Sequence, residues 1–425
     1  MKPVEFTTFG CKVNTYDTGL LEKRLADLDG SLGRRIQVIN TCAVTDEATR
    51  EALRTVRRLK AKDPEAFVVV TGCAAQVDTE RFAEESAADL IVANSHKGDL
   101  SSLIRSRIEN RLVERVFKSN IFKKEDLEAG GGLEKDHTRT FLKIQDGCDS
   151  FCTFCVIPFA RGKSRSISIV DLLRRINEIY EMGIREVVLT GVHIGDYRDE
   201  SVEAGSLEDL VEQVLLQTRM PRIRLSSLEP IELSDRLLNL YSDSRLCRHF
   251  HMSIQSACTR VLSSMKRKYD HVAVENALNT IEKRVAGSHV GMDVIVGFPG
   301  ESEEEFQETH DRLQSLPWTK IHVFPYSPRP GTFANRLPGH WQRGEIMERA
   351  RRLRALSHER YESALKAQVG KVKSVLVLKA PGQASEALSR DYWPVRMTGV
   401  QHLAGMEVSA QVRLGEGLQL WADLV

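Results

Sequence analysis

The chain has 425 residues, 41% hydrophobic and 28% charged, with 60 Lys and Arg against 59 Asp and Glu, a net charge of +1. That length exceeds one compact core and implies two or three domains. The neutral balance excludes a protein that holds nucleic acid by bulk charge, so any such contact must come from local basic patches.

Residues 4–9 read as a short strand, and Leu20, Leu21, Leu25 and Leu28 carry a helical period stopped by Gly30. Residues 36–39 read as a second strand, 48–60 as an Arg-rich helix, and 67–70 as a third strand. The unbroken run Phe67-Val68-Val69-Val70 suits the interior of a parallel sheet. Residues 1–122 are therefore expected to form a parallel three-layer α/β domain. The charged run Lys123-Lys124-Glu125-Asp126 and then Gly130-Gly131-Gly132 mark a linker over 123–137.

A second βα series starts at Thr140, with strands at 141–144, 186–189, 223–225, 250–254, 290–296 and 321–324. Helices between them include 170–182, with Gly183 at its C-terminal cap, and 207–217; Ser302 with Glu305 is a capping box. Six βα steps predict a partial (β/α)6 barrel over 138–368, with its chemistry at the C-terminal ends of the strands. That span includes a long helix after Trp341 bearing Arg343, Arg349, Arg351, Arg352, Arg354 and Arg360, which reads either as a solvated face or as an RNA contact. Short strands at 372–378, 395–397, 408–412 and 418–420 predict a small antiparallel β-barrel over 369–425. No apolar run is long enough to span a bilayer, and residues 1–6 lack a signal-peptide core, so the expectation is a cytoplasmic protein with no membrane partner.

Eight cysteines carry most of the functional signal. In a reducing compartment, clustered thiols bind metal or do catalysis rather than form disulfides. Cys148, Cys152 and Cys155 form a C-x3-C-x2-C loop directly after the first barrel strand. Three thiolates on one loop can hold three irons of a cubane and leave the fourth without a protein ligand. A structural zinc site would need a fourth ligand, and the nearest histidine, His137, precedes the strand. Cys11, Cys42 and Cys73 each follow a predicted strand at a regular interval. Loops after successive parallel strands open on one edge, so these thiols should converge. A second cubane accounts for them; the plain alternative is three small buried apolar residues. Cys247 and Cys258 read as structural thiols.

The C-x3-C-x2-C loop ahead of a barrel resembles the radical S-adenosylmethionine superfamily. The resemblance implies an open iron that chelates S-adenosylmethionine and, on one-electron reduction, yields methionine and a 5′-deoxyadenosyl radical sheltered from water. It also implies that Phe154 lies near the adenine, that Gly191 lets backbone approach the methionine amino group, that Gln255 reaches the ribose or carboxylate, and that Val296 contacts the adenine. Superfamily members often have glycine where this chain has Asp293. Asn40-Thr41-Cys42-Ala43-Val44, Thr71-Gly72-Cys73-Ala74-Ala75-Gln76, Gln145-Asp146-Gly147-Cys148 and the run from Asp293 to Glu301 extend the likeness to the whole chain, which resembles the methylthiotransferase family.

That family resemblance implies two 4Fe-4S clusters, one on Cys11, Cys42 and Cys73 and one on Cys148, Cys152 and Cys155. It implies S-adenosylmethionine as both methyl donor and radical source, and a TRAM-like RNA-binding barrel at the tail. An unactivated aryl C–H offers no acidic proton, which suits a radical route. Thr190-Gly191-Val192-His193-Ile194-Gly195-Asp196-Tyr197 resembles the branch acting on N6-threonylcarbamoyladenosine beside the tRNA anticodon; relatives there commonly have asparagine at His193, which receives no role. The implied partners are a tRNA anticodon stem-loop, an electron donor such as flavodoxin or ferredoxin, and a sulfur source. Arg161, Lys163 and Arg165, with Lys266, Arg267 and Lys268, are the candidate RNA contacts on the barrel rim, plain surface charge being the alternative. Isopentenyladenosine, a ribosomal-protein aspartate and a non-enzymatic electron carrier are the competing readings.

Overall fold

The computed structural model describes residues 4–28, 33–125, 127, 138–378 and 384–425. The helix stop at Gly30 and the linker glycines Gly130, Gly131 and Gly132 lie outside them. Among the described residues, no helix is long and apolar enough to cross a membrane.

The first region folds from β1 (Val4–Thr8), α1 (Lys12–Leu25), β2 (Ile36–Thr41), α2 (Asp46–Lys62), β3 (Phe67–Gly72), α3 (Cys73–Val77), α4 (Thr79–Ala83), β4 (Leu90–Ala93), α5 (Leu100–Ile108) and β5 (Val116–Phe117). The strands pair in parallel in the order β1-β2-β3-β4-β5. β2 and β3 are buried at every residue, as unbroken apolar strands covered by helices must be. β4 has four residues and β5 two, too short to show a period in the sequence.

The second region runs through β6 (Arg139–Lys143), β7 (Gln145–Asp146), α6 (Ile157–Arg161), β8 (Arg165–Ser166), α7 (Ile169–Glu181), β9 (Glu186–Thr190), α8 (Leu207–Gln217), β10 (Arg222–Leu225), β11 (Ser227–Leu228) and α9 (Asp235–Leu240). It continues with β12 (His249–Gln255), α10 (Thr259–Ser264), α11 (His271–Arg284), β13 (His289–Val296), α12 (Glu303–Ser315), β14 (Lys320–Pro325) and α13 (Arg343–Lys366). β10-β9-β6 make one parallel sheet and β11-β12-β13-β14 another. β10 and β11 are one extended run interrupted at Ser226, so the six steps curl into an open barrel whose free edges are β6 and β14. Alternation along each strand divides the faces. Leu189, Ile223, Ile254, Met292, Val294 and Ile321 join one apolar core with the helices, whereas their neighbours Glu186, Arg222, Arg224, His251 and Asp293 point the other way, into the barrel.

The arginines of α13 are largely spent on packing. Arg349 binds buried Glu301 (2.8 Å), Arg352 pairs with Glu303, and Arg354 and Arg360 donate to the carbonyls of Val323 and Leu316. Arg349 is buried, whereas Arg354 stays on the exposed face.

The tail closes into a barrel of β15 (Val372–Val377), β16 (Ala384–Ser389), β17 (Pro394–Thr398), β18 (Glu407–Leu414) and β19 (Leu420–Leu424), in the order β15-β16-β17-β19-β18. Its pairs are antiparallel except the closing β17–β19 pair. It seats on the N-terminal ends of the large barrel's strands. Arg222 donates to Leu388 O (2.9 Å) and pairs with Glu407 (2.8 Å), and the Tyr392 ring stacks on His249 with centroids 3.9 Å apart. Glu186, fully buried between Arg222 and Arg224, anchors this floor: burial opposes its charge, but the two guanidinium groups hold its pKa down to about 2.

Candidate active site at the barrel mouth

β1, β2 and β3 end in register, with Thr8 beside Asn40, Asn40 beside Thr71 and Thr41 beside Gly72. The next turns carry Cys11, at the N-cap of α1, then Cys42, then Cys73 at the start of α3. Gly10 has φ +97°, and a Cβ there would lie 2.7 Å from Cys42 Sγ, so only glycine admits this close approach. Cys42 and Cys73 are buried and Cys11 is exposed. Burial, reinforced by the neighbouring Cys73, pushes the Cys42 thiol up to about 12.

The second trio lies on the loop between β7 and α6. At Gly147 (φ +78°) a Cβ would fall 1.9 Å from Lys163 O, so the loop crosses its own return strand only through a glycine. Cys155 N donates to Cys152 O (3.0 Å), turning the thiols together, and Arg267 Nη1 donates to Cys152 Sγ at 3.1 Å. Burial pushes Cys155 up to about 12 as well, with Cys152 and Cys148 adding to the effect. Soft, buried thiols that resist ionisation on their own suit metal ions, whose binding drives off the protons. Each trio can ligate three irons of a cubane and leave one corner open.

The segment after the second trio packs against the first. Val156, just before α6, and Ala160, within it, join the same apolar cluster as Cys73. Asn94 Nδ2 reaches Ala160 O (2.9 Å) and Cys73 Sγ (3.6 Å). Asn14 Oδ1 accepts from Arg161 (2.6 Å) and lies 3.9 Å from Cys73 Sγ. Arg161 also binds Asp146 (2.9 Å) and Asp17 (3.1 Å), and Lys143 binds the same two carboxylates at 2.9 and 2.7 Å. Burial raises the cost of ionising Asp17, yet Lys143, Lys97 and Arg161 hold its pKa far below the carboxylate range.

The expected S-adenosylmethionine contacts divide. Phe154 and Ile295 both pack against a small apolar cluster that includes Phe298 and Tyr326. Gly191 ends β9, where Gln145 Oε1 accepts from Val192 N and His193 N at 3.0 and 2.9 Å and a Cβ on Gly191 would meet that oxygen at 2.9 Å. Gln255 ends β12 with φ +62°, at an irregularity in its register with β13. Val296 turns its side chain into the helix-side core, 1% exposed, and its carbonyl accepts from Tyr326 N, while its neighbour Ile295 faces the other way. A cavity of about 200 Å³ lies against Cys152 and Cys155, between Phe151, Phe159, Phe333 and Arg336.

The RNA candidates divide too. Lys163, Lys266 and Lys268 are exposed. Arg165 is half-buried and donates to Lys124 O and Arg161 O. Arg161 is 4% exposed and held in the buried network above, so it cannot reach a phosphate. Arg267 is spent likewise on Cys152, Glu229 (2.6 Å), Tyr269 and Ser253 O. Their placement beside glycine and lysine in sequence suggested a rim; their partners come from distant segments and were invisible there.

His193 was given no role, and its surroundings are the main feature the sequence did not show. Its ring contacts Glu232 (2.5 Å) and Asp196 (2.9 Å), with Ser150 Oγ at 3.3 Å and Cys148 Sγ at 3.9 Å. Burial opposes its charge, but the bonds to Asp196, Cys148 and Glu232 lift its pKa to about 12.

Two family models match the chain: the radical SAM superfamily over residues 142–313 and the uncharacterized protein family UPF0004 over residues 3–93. A threonylcarbamoyladenosine tRNA methylthiotransferase of Aquifex aeolicus is 34% identical, covering 94% of this chain and 98% of its own. That of Bacillus subtilis is 31% identical over 97% and 94% of the two chains. A tRNA-2-methylthio-N(6)-dimethylallyladenosine synthase of Thermodesulfovibrio yellowstonii is 30% identical over 88% of each. Among solved structures, the radical S-adenosylmethionine methyltransferase TsrM of Kitasatospora setae shares the fold, with a TM-score of 0.53 and 16% identity over 79% of this chain and 77% of that one. Aligned nearly end to end with such relatives, the chain belongs to the methylthiotransferase family of radical S-adenosylmethionine enzymes.

Proposed function

We propose that this enzyme attaches a methylthio group to C2 of N6-threonylcarbamoyladenosine in tRNA, beside the anticodon. The observation that carries the reading is that Cys73 of the first cysteine set packs with Val156, the residue after Cys155 of the second, in a chain whose relatives in A. aeolicus and B. subtilis are named for that activity. Cys11, Cys42 and Cys73 would hold one 4Fe-4S cluster and Cys148, Cys152 and Cys155 the other, with Phe154, Gly191 and Gln255 bordering S-adenosylmethionine. When bound, these groups supply what no side chain can, a one-electron route to a carbon radical and a sulfur to transfer.

The protein's own residues do the rest. Arg267 steadies Cys152 through a charge-assisted bond to its sulfur. Gln145 fixes the backbone at 192 and 193, which sets the end of β9 against the cysteine loop. The Asn14–Arg161–Asp17–Lys143–Asp146 layer locks the two regions in one geometry. Lys163, Lys266 and Lys268 stand free on the rim for phosphate contact. A flavodoxin or ferredoxin would deliver electrons, and a separate sulfur source would restore the transferred atom.

The test uses anaerobically reconstituted protein, S-adenosylmethionine, a strong reductant and tRNA prepared with or without the threonylcarbamoyl group. Methylthio product is expected only on the modified tRNA, and Cys42→Ala is expected to keep 5′-deoxyadenosine formation while losing transfer. Product on tRNA lacking the modification would overturn the substrate assignment.

A further inference from the structure

The inward face of the open barrel is polar where a wall for an apolar ligand would be aliphatic. In register across β12, β13 and β14, His251 lies beside Gly291, Asp293 beside His322, and Ile295 beside Phe324. His251 Nε2 bonds Asp293 Oδ1 at 3.0 Å, and the His251 and His322 rings lie 5.4 Å apart. Gly291 leaves room for this group, since a Cβ there would stand 3.2 Å from His251 Nδ1. His322 and Phe324 are exposed although they point inward, so this side of the barrel is open to solvent.

The opening lies between β6 and β14, and α1 closes on it. Lys12, the residue after Cys11, holds its ammonium 6.0 Å from the Phe141 ring centroid on β6 and shares its electrostatic surroundings with Asp293, Arg139 and Arg224. The arginines around it already have carboxylate partners: Arg139, Arg222 and Arg224 converge on Glu186, and Arg222 also meets Glu407. Among the described residues Lys12 has no carboxylate within ion-pairing distance. A half-buried ammonium with no ion-paired carboxylate, beside an open polar wall and one residue from a cluster cysteine, is placed to meet an anionic ligand.

We infer that Lys12, His251, Asp293 and His322 form the subsite for the N6 substituent of the target adenosine, with Lys12 taking its carboxylate. The inference rests on the functional reading above and deepens it. The threonylcarbamoyl group bears one carboxylate, one hydroxyl and a urea N–H. Lys12 supplies a positive partner for the first, and the Asp293–His251 pair and His322 supply acceptors and a donor for the others. The isopentenyl group offers none of these and would leave the ammonium facing hydrocarbon, so the same four residues select against it.

The test measures affinity, which does not depend on turnover. Anticodon stem-loop RNAs carrying N6-threonylcarbamoyladenosine, its methyl ester or isopentenyladenosine are titrated against the full-length protein. The acid is expected to bind roughly 10- to 100-fold tighter than the ester. In Lys12→Met the acid and ester should bind alike. In His322→Leu, at an exposed position that leaves the core intact, the acid should lose affinity while isopentenyladenosine loses none. Equal binding of acid and ester by the unaltered protein, or undiminished discrimination in Lys12→Met, overturns the subsite. Turnover measured in parallel judges the functional reading separately: methylthiolation confined to isopentenyladenosine would sink that reading, whatever the affinities say of the subsite.

Discussion

Arg161 illustrates how differently a residue reads alone and in place. In sequence it opens a basic stretch; in the fold it is 4% exposed, bonded to Asn14, Asp17 and Asp146. Removing it would leave two buried carboxylates without their guanidinium partner, and breaking such a network costs about 3–5 kcal/mol. Arg161→Met should therefore lower the denaturant midpoint sharply. The salt dependence of tRNA binding should stay unchanged, because no phosphate contact is lost; a weaker salt slope would restore the RNA-contact role. Arg267 follows the same logic, its guanidinium committed to a cysteine sulfur and a buried glutamate.

At the scale of elements, the six strands of the open barrel were legible because each presents alternating or continuous apolar residues to a helical layer. The cysteine trios were legible because spacing along a βα series translates into position at a sheet edge. β4, β5 and β16 escaped: the first two are too short for a period, and Ala-Ser-Glu-Ala-Leu-Ser carries no β-branched residue. The charge networks escaped for another reason. Asp17 and Lys143 are 126 residues apart, and no local pattern announces such a pair. Glu186 on β9 is one more, and it makes a pH prediction. Its pKa is about 2 in the fold against 4.5 for the free side chain, so its stabilisation is full above about pH 4.5 and fades as pH falls toward 2. The contribution is roughly 3 kcal/mol. The stability gap between the unaltered protein and Glu186→Gln should be widest near neutrality and close on acidification; a gap that does not vary with pH would count against it.

At the scale of the whole molecule, three regions share walls. Tyr16 of α1 belongs to the large barrel's core, Arg329 reaches back to Asp78 at 2.6 Å, and Tyr392 of the tail stacks on His249 and lies under the Arg224 guanidinium at 4.9 Å. Tyr392 adopts φ +70°, a backbone state held in place by its seated ring. Tyr392→Ala should cost about 3 kcal/mol and lower the melting temperature of the whole chain in a single transition. Two separate transitions would show that the tail folds and melts on its own. The stacked tyrosine also has a topological effect. With that end stoppered, the space inside the strands has a floor, so whatever enters it must come over the cysteine-bearing rim or through the side between β6 and β14, and never from below.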